Sequence, residues 1–322
     1  MGKSSLLHLT GGRLSIHLDE NSYCRVERRK AEKWESICHK DPPLDIKRPV
    51  SYLLLDGRPI ADFRFPQEEM QQEAIRSEFG SGFRYTLAGT DRNSFEVPVS
   101  QLLTVEIYDR FPDAAVIRSR FLAEGEFAPV SCEVVSGSIL LDARRMGGRS
   151  PSDLWAYHGS AELREHCLQA VTPDFYKRNY LGVLESFDGG GPQPRYRLGS
   201  QPGFGGGIPL VAVWNPGLGT AIAHLEPSYR RCSLPVRAHR GGPVSIELVR
   251  HCREMLEPGR PVHSLETVLH LHEGDFFNAL SNYREMMRCR SVTFSASAEA
   301  AYEPQWDTWG LGENFRPEEV LE

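Results

Sequence analysis

Apolar and polar residues alternate along most of the first 272 positions, in short runs broken by turn residues. Residues 103–108 and 115–122 alternate on either side of Asp109-Arg110-Phe111-Pro112-Asp113, and 210–214 and 220–225 flank Asn215-Pro216-Gly217-Leu218-Gly219. Residues 236–240 and 244–252 flank Gly241-Gly242-Pro243, whose glycines supply the positive φ that a tight hairpin turn demands. Alternation on one face predicts antiparallel sheets packed on one side and wet on the other. Strand after strand at this spacing predicts a mainly β fold, a large antiparallel β-sandwich. Helical signals are few. Residues 67–79, with Met70, Ala74 and Ile75 at helical spacing, read as a surface helix, while 161–171 fit either element and lean towards strand. The strongest helix is 275–288: Asp275 is a fair N-cap after Gly274, and Phe276, Leu280, Tyr283 and Met287 form one stripe.

The last thirty residues change character. Residues 292–301 are small and polar, like a linker, and 304–309 read as a short strand. After residues 310–315, Pro317-Glu318-Glu319-Val320-Leu321 opens a helix, with proline at the first position and acids in the first turn. A strand, a loop and an uncompleted helix predict the first unit of a β/α domain, so the chain reads as truncated. The expected division is a sandwich over 1–272, a helix and linker over 273–301, and the start of a barrel over 302–322.

Composition narrows the function classes. At 322 residues the chain holds roughly two domains, or one large β domain. With 37 basic against 43 acidic residues the net charge is −6, which gives no electrostatic footprint for nucleic acid or an anionic membrane. The sequence has no apolar run near the length of about 18 residues that a membrane helix needs. The N-terminus has too short an apolar run for a signal peptide, and Leu6 breaks the myristoylation pattern. Seven cysteines, scattered and without a CxxC pair, argue against a disulfide scaffold or structural zinc, so a cytoplasmic setting is expected.

Several segments invite chemistry and most decline it. The glycine-rich stretch 186–208 resembles a phosphate loop, but Ile208 stands where the third glycine of GxGxxG belongs and prolines 192, 194, 202 and 209 prevent a helix from opening there. It reads as a long ordered loop, with Arg195 and Arg197 as its notable polar groups. His270 and His272 are two apart on one strand and share a face, yet no third metal ligand has convincing spacing. Cys252 and His251 are strand neighbours that point to opposite faces, and Ser186 lacks a G-x-S-x-G elbow. His224 and Glu226 share a strand face and are the best pair for an epimerase reading. Glu318 and Glu319 suit the helix dipole and sit side by side, unlike carboxylates that flank a substrate. Trp306, Asp307 and Trp309 are different. Near the end of a first barrel strand they could stack on a sugar and bind its hydroxyls, or they could be plain packing, and both readings stay open.

The helix His272-Glu273-Gly274-Asp275-Phe276-Phe277-Asn278-Ala279-Leu280 with Tyr283-Arg284, then Trp306-Asp307-Thr308-Trp309 and Phe315-Arg316-Pro317-Glu318-Glu319, resembles the N-terminal region of melibiase-type α-galactosidases. Their clan includes the raffinose synthases (glycoside hydrolase family thirty-six). Trp155-Ala156-Tyr157-His158-Gly159 with Arg164-Glu165 is similar to a family strand, and 209–226 fall where paired strands follow it. The resemblance implies a mutarotase-like β-supersandwich ahead of a catalytic (β/α)8 barrel. Trp309 matches the tryptophan of the first barrel strand, and Glu318-Glu319 match the opening of the next helix. Thr308 and Gly310 stand where many members have Asn and Glu.

The activity implied is that of a retaining glycoside hydrolase on an α-glycoside or oligosaccharide, without cofactor or metal. Retention needs two carboxylates about 5–5.5 Å apart. The resemblance places both on later barrel strands, beyond Glu322, so no catalytic residue is expected here. Trp306, Asp307 and Trp309 are the candidate substrate-binding residues, and a homo-oligomer is a possible state. The alternative is a carbohydrate-binding or oligomer-assembly sandwich module.

Overall fold

The computed structural model describes residues 7–40, 42–66, 70–160, 167–181, 207–228 and 230–293. Four strands, β1 (Leu7–Gly11), β2 (Leu14–Leu18), β3 (Cys24–Lys30) and β4 (Lys33–Ser36), form an antiparallel meander. The hairpin β5 (Tyr52–Leu55)–β6 (Arg58–Ile60) follows, then a second meander of β7 (Gln71–Ser77), β8 (Gly80–Asp91), β9 (Val99–Tyr108) and β10 (Ala114–Ala123). Next come β11 (Val130–Asp142), β12 (Trp155–Ser160), β13 (Leu168–Ala170) and β14 (Tyr176–Leu181). Two hairpins follow, β15 (Gly207–Asn215)–β16 (Leu218–His224) and β17 (Cys232–Ala238)–β18 (Pro243–Leu256). β19 (Val262–His263), β20 (Thr267–His272) and the helix α1 (Phe276–Cys289) complete the described chain.

The later strands make two sheets. A ten-stranded sheet runs β13-β12-β15-β16-β20-β10-β9-β8-β7, with β19 beside β10, and a six-stranded sheet runs β14-β17-β18-β11-β5-β6. Alternation decides which side chains fill the space between them. Leu103, Val105, Ile117, Ile222 and Leu269 of the larger sheet share one buried cluster with Leu53, Val134, Leu141, Ile246 and Leu248 of the smaller. At Gly137 a Cβ would come within 2.7 Å of Thr267 Cγ2 and 3.1 Å of Ile222 Cγ2, so glycine there lets the sheets approach. The sandwich is large, antiparallel and mainly β, as the alternation predicts.

The three predicted hairpins are present, and Gly241 and Gly242 turn with φ of 87° and 105°. The predicted helix is also present. Asp275 caps it by accepting the Phe277 N–H at 3.0 Å, and Ala279, Tyr283, Met286 and Met287 bury its inner stripe. That stripe lies on the outer face of the ten-stranded sheet, against Val116, Ala212, Ala221 and Val268.

One element is corrected. Residues 71–77, expected within a surface helix, form the edge strand β7, antiparallel to β8. Almost every side chain of β7 is exposed, so no apolar alternation marks it, and its pairing with β8 overrides the weak helical spacing. Of 161–171, the stretch 168–170 is strand β13, and 161–166 lie outside the described residues. The glycine-rich stretch up to residue 206 also lies outside them. So do residues 294–322, with Trp306, Asp307, Trp309 and the expected barrel start.

Candidate functional site

The inner face of the six-stranded sheet is spent on the core; its other face is open. Along β18 the inward residues include Ile246 and Leu248, which leaves Ser245 and Glu247 on the open face. Partners on neighbouring strands add Tyr52 and Leu54 from β5, Glu133 and Ser138 from β11, Arg237 from β17 and Tyr176 from β14. The loop residues Asp45, Arg48 and His239 close the rim of a groove of 870 Å³. Strand alternation thus converts one-face polarity into a concave polar surface.

Hydrogen bonds hold its floor in place. The buried Tyr52 hydroxyl donates to Glu247 Oε1 at 2.9 Å, and Ser138 Oγ lies 3.3 Å from the same oxygen. Burial, then the Glu247 charge, pushes the Tyr52 phenol far above its ordinary range, so it stays a donor. His251 Nδ1 lies 2.7 Å from Glu133 Oε1, and its Nε2 lies 2.9 Å from Ser233 Oγ. Although this is a Ser–His–Glu relay, Ser233 is fully buried and cannot meet a substrate, so it is a scaffold, not a nucleophile. At the rim, the Arg237 guanidinium lies 5.4 Å from the centroid of the exposed Tyr176 ring. His239 Nε2 lies 2.9 Å from Ser245 Oγ; burial, then Arg237, lowers its pKa, so the ring is neutral at pH 7.

Such a surface has the chemistry of polyhydroxylated ligands. Tyrosine rings offer flat apolar faces, while carboxylates accept from hydroxyls and guanidinium groups donate to them. Among the described residues, no group of three or more His, Cys, Asp or Glu is arranged to hold a metal ion.

The residues singled out from sequence fall elsewhere. His224 ends β16 on the larger sheet, where its Nδ1 accepts the Glu226 N–H at 3.2 Å and burial pushes its pKa down to about 4. It shares Ile222's inward face, so the structure does not bring His224 and Glu226 to the open groove. His270 and His272 do share a face, with ring centroids 6.0 Å apart, but it is the face under α1. Both are buried, and neither ring has a hydrogen-bond partner. The groove residues escaped sequence reading because five strands and their loops, from Asp45 to Glu247, contribute them. The one local signal was Ser245 and Glu247, polar every second position inside an apolar strand.

No protein-family model and no curated protein matches the sequence. Solved structures match by fold. The chain is similar to the GH36 α-galactosidase AgaB from Geobacillus stearothermophilus, with TM-score 0.53, 11% identity, and coverage of 87% of this chain and 41% of that one. It is similar to the α-galactosidase from Lactobacillus brevis, with TM-score 0.55 and 11% identity over 88% of this chain and 41% of that one. The galactosidase domain of the α-galactosidase-sucrose kinase AgaSK gives TM-score 0.55 and 10% identity over 87% and 42%. The fold is therefore the antiparallel sandwich of GH36 N-terminal domains. The chain spans about two fifths of the length of these proteins.

Proposed function

We propose that this chain is the non-catalytic sandwich region of a retaining glycoside hydrolase of the α-galactosidase kind. The observation that carries the reading is a fold shared over 87% or more of this chain with three α-galactosidase structures. The groove agrees with it: its tyrosines, carboxylates and arginine suit contact with sugar hydroxyls, while the Ser233–His251–Glu133 relay is closed to substrate. Catalytic carboxylates would stand on a barrel that is separate from the described sandwich. The purified 322-residue chain is accordingly expected to leave a chromogenic α-galactoside intact, at rates equal to buffer. Hydrolysis above buffer overturns the proposal.

The groove favours a second reading, a carbohydrate-binding module. In this reading galactose or a short α-galactoside binds across Tyr52, Tyr176, Glu247 and Arg237. Calorimetric titration of the chain with melibiose tests it. Saturable heat that Arg237→Ala weakens about tenfold, the loss of one charge-assisted hydrogen bond, supports the module. Heat that the substitution leaves unchanged removes the groove from consideration.

A further inference from the structure

A second pocket, of 310 Å³, lies where the four-stranded sheet meets the ten-stranded sheet and α1. Arg13, between β1 and β2, and Arg28 and Arg29, on β3, supply one wall. Asn278 and Asn282, four residues apart on α1, supply another. Leu218, Leu271 and His272 line it from β16 and β20, with Asp113 and Glu273 beside them. Three arginines and two acids thus line the pocket, and the remaining polar lining is amide and imidazole.

Two of these residues carry polar nitrogens that the fold buries and leaves unsatisfied. His272 is only 5% exposed, and neither its Nδ1 nor its Nε2 has a hydrogen-bond partner. Arg28 Nε is likewise buried without one. Leaving such groups unpaired costs about 1–3 kcal/mol each, so a fold retains them together at little benefit unless something else completes them. The other ends of Arg28 are loosely held, with Nη2 at 3.4 Å from Glu35 Oε2 and Nη1 at 3.5 Å from the Gly217 carbonyl. Gly219 makes room for the imidazole: any Cβ there would overlap the His272 ring. Packing against Gly219 therefore fixes the position of the ring.

We infer that this pocket is a binding site for a small oxyanion, with Arg28 Nε and His272 donating to it and Arg29 and Arg13 supplying charge. Arg13 is already paired with Asp113, and Arg29 has only an exposed partner, Glu32, at 3.6 Å. Glu35, the acid paired with Arg28, is shared with Lys30, so these two arginines are only partly neutralised and a carboxylate or phosphate would complete them. Burial keeps His272 neutral at pH 7, so it presents one N–H and one acceptor nitrogen. A planar guanidinium edge beside an imidazole N–H suits an oxygen cluster on one centre better than scattered sugar hydroxyls. The pocket uses none of the groove residues, so its test is independent of the reading proposed above.

The test is titration of the full 322-residue chain with inorganic phosphate at pH 7 and constant ionic strength, read by two-bond proton–nitrogen correlation of the histidine rings. The His272 resonance is identified by its loss in His272→Gln. A parallel arm with acetate distinguishes a carboxylate ligand from a phosphate one. Saturable movement of the His272 signal, weakened about tenfold or more in Arg28→Gln and in the half-exposed Arg29→Gln, supports the inference. No saturable movement with either anion overturns it, as does equal binding by wild type and the arginine variants, or tighter binding of galactose at the same signals. If Arg28→Gln does not fold, the wild-type melting temperature decides the matter. It must rise with phosphate and not with chloride at equal ionic strength, and an equal response to both salts refutes the site.

Discussion

The two outer faces of the sandwich have opposite fates. Outside the ten-stranded sheet, α1 covers a face on which charge is deeply buried; outside the six-stranded sheet, charge stays at the surface of an open groove. On the covered face Glu106 is fully buried and receives Arg84 Nε at 2.7 Å, Arg118 Nη1 at 2.6 Å and the Tyr108 hydroxyl at 2.8 Å. Arg118 continues to Glu266 at 2.8 Å, and Arg290, just past α1, pairs with both Glu266 and Glu78. This network ties the helix end to the sheet. In the groove the bonds are local: Tyr52 and Ser138 meet Glu247, and His251 meets Glu133 and Ser233. Its rim groups, Arg237 and Tyr176, are exposed. The difference teaches which polar groups the fold needs for its own stability and which it leaves available to a ligand.

The strongest way to break the comparison is Glu106→Ala. Burial pushes this carboxyl up, but Arg118, Tyr108 and Arg84 together hold it below its ordinary value. Removing it takes the buried partner from two arginines, which keep their outer contacts to Glu73 and Glu266, and the loss expected is about 3 kcal/mol in urea unfolding at pH 7. A loss within experimental error would mean the covered face tolerates unpaired charge as the open one does. The wild type also loses the Glu106 contribution as pH falls: it is complete above the ordinary carboxylate pKa and disappears through the lower folded value.

Acid titration sharpens the contrast next. Burial, then the His272 charge, pushes His270 from 6.5 down to about 3. An unfolded chain binds that proton below pH 6.5 and the folded one does not, so stability is full above pH 6.5. It then falls by about 1.4 kcal/mol per pH unit down to about pH 3. His270→Leu should flatten the acid limb of the stability curve by that slope. An unchanged limb would show that His270 is protonated in the folded state. The smallest effect belongs to the open face. Arg237→Ala should change unfolding free energy by no more than about 0.5 kcal/mol, because both its guanidinium and the Tyr176 ring it covers are exposed. A loss of 2 kcal/mol or more, on the order of a buried pair, would make the groove structural.

The strands with clean alternation were legible before any coordinates. β9, β10 and β18 alternate over part of their length, β15 and β16 are apolar runs buried on both faces, and their hairpins carry turn residues of defined chemistry. The helix was legible too, through Asp275 and the stripe ending at Met287. β7 was not, because an exposed edge strand has no buried face to write a period into the sequence. The groove was invisible for another reason. Tyr52, Glu133, Tyr176, Arg237 and Glu247 lie up to 195 positions apart, and only the sheet order β14-β17-β18-β11-β5 brings them together.

Local periodicity, then, determined that this chain makes antiparallel sheets and a capped amphipathic helix, since burial of one face acts on neighbours two or four residues apart. It also determined that His270 and His272 share a face. Which face the helix would cover was decided by tertiary structure alone. Sheet order and the packing of α1 bury the imidazoles of His270 and His272 and leave Glu247 beside an open groove, because burial is a property of how elements assemble and not of their order in the chain.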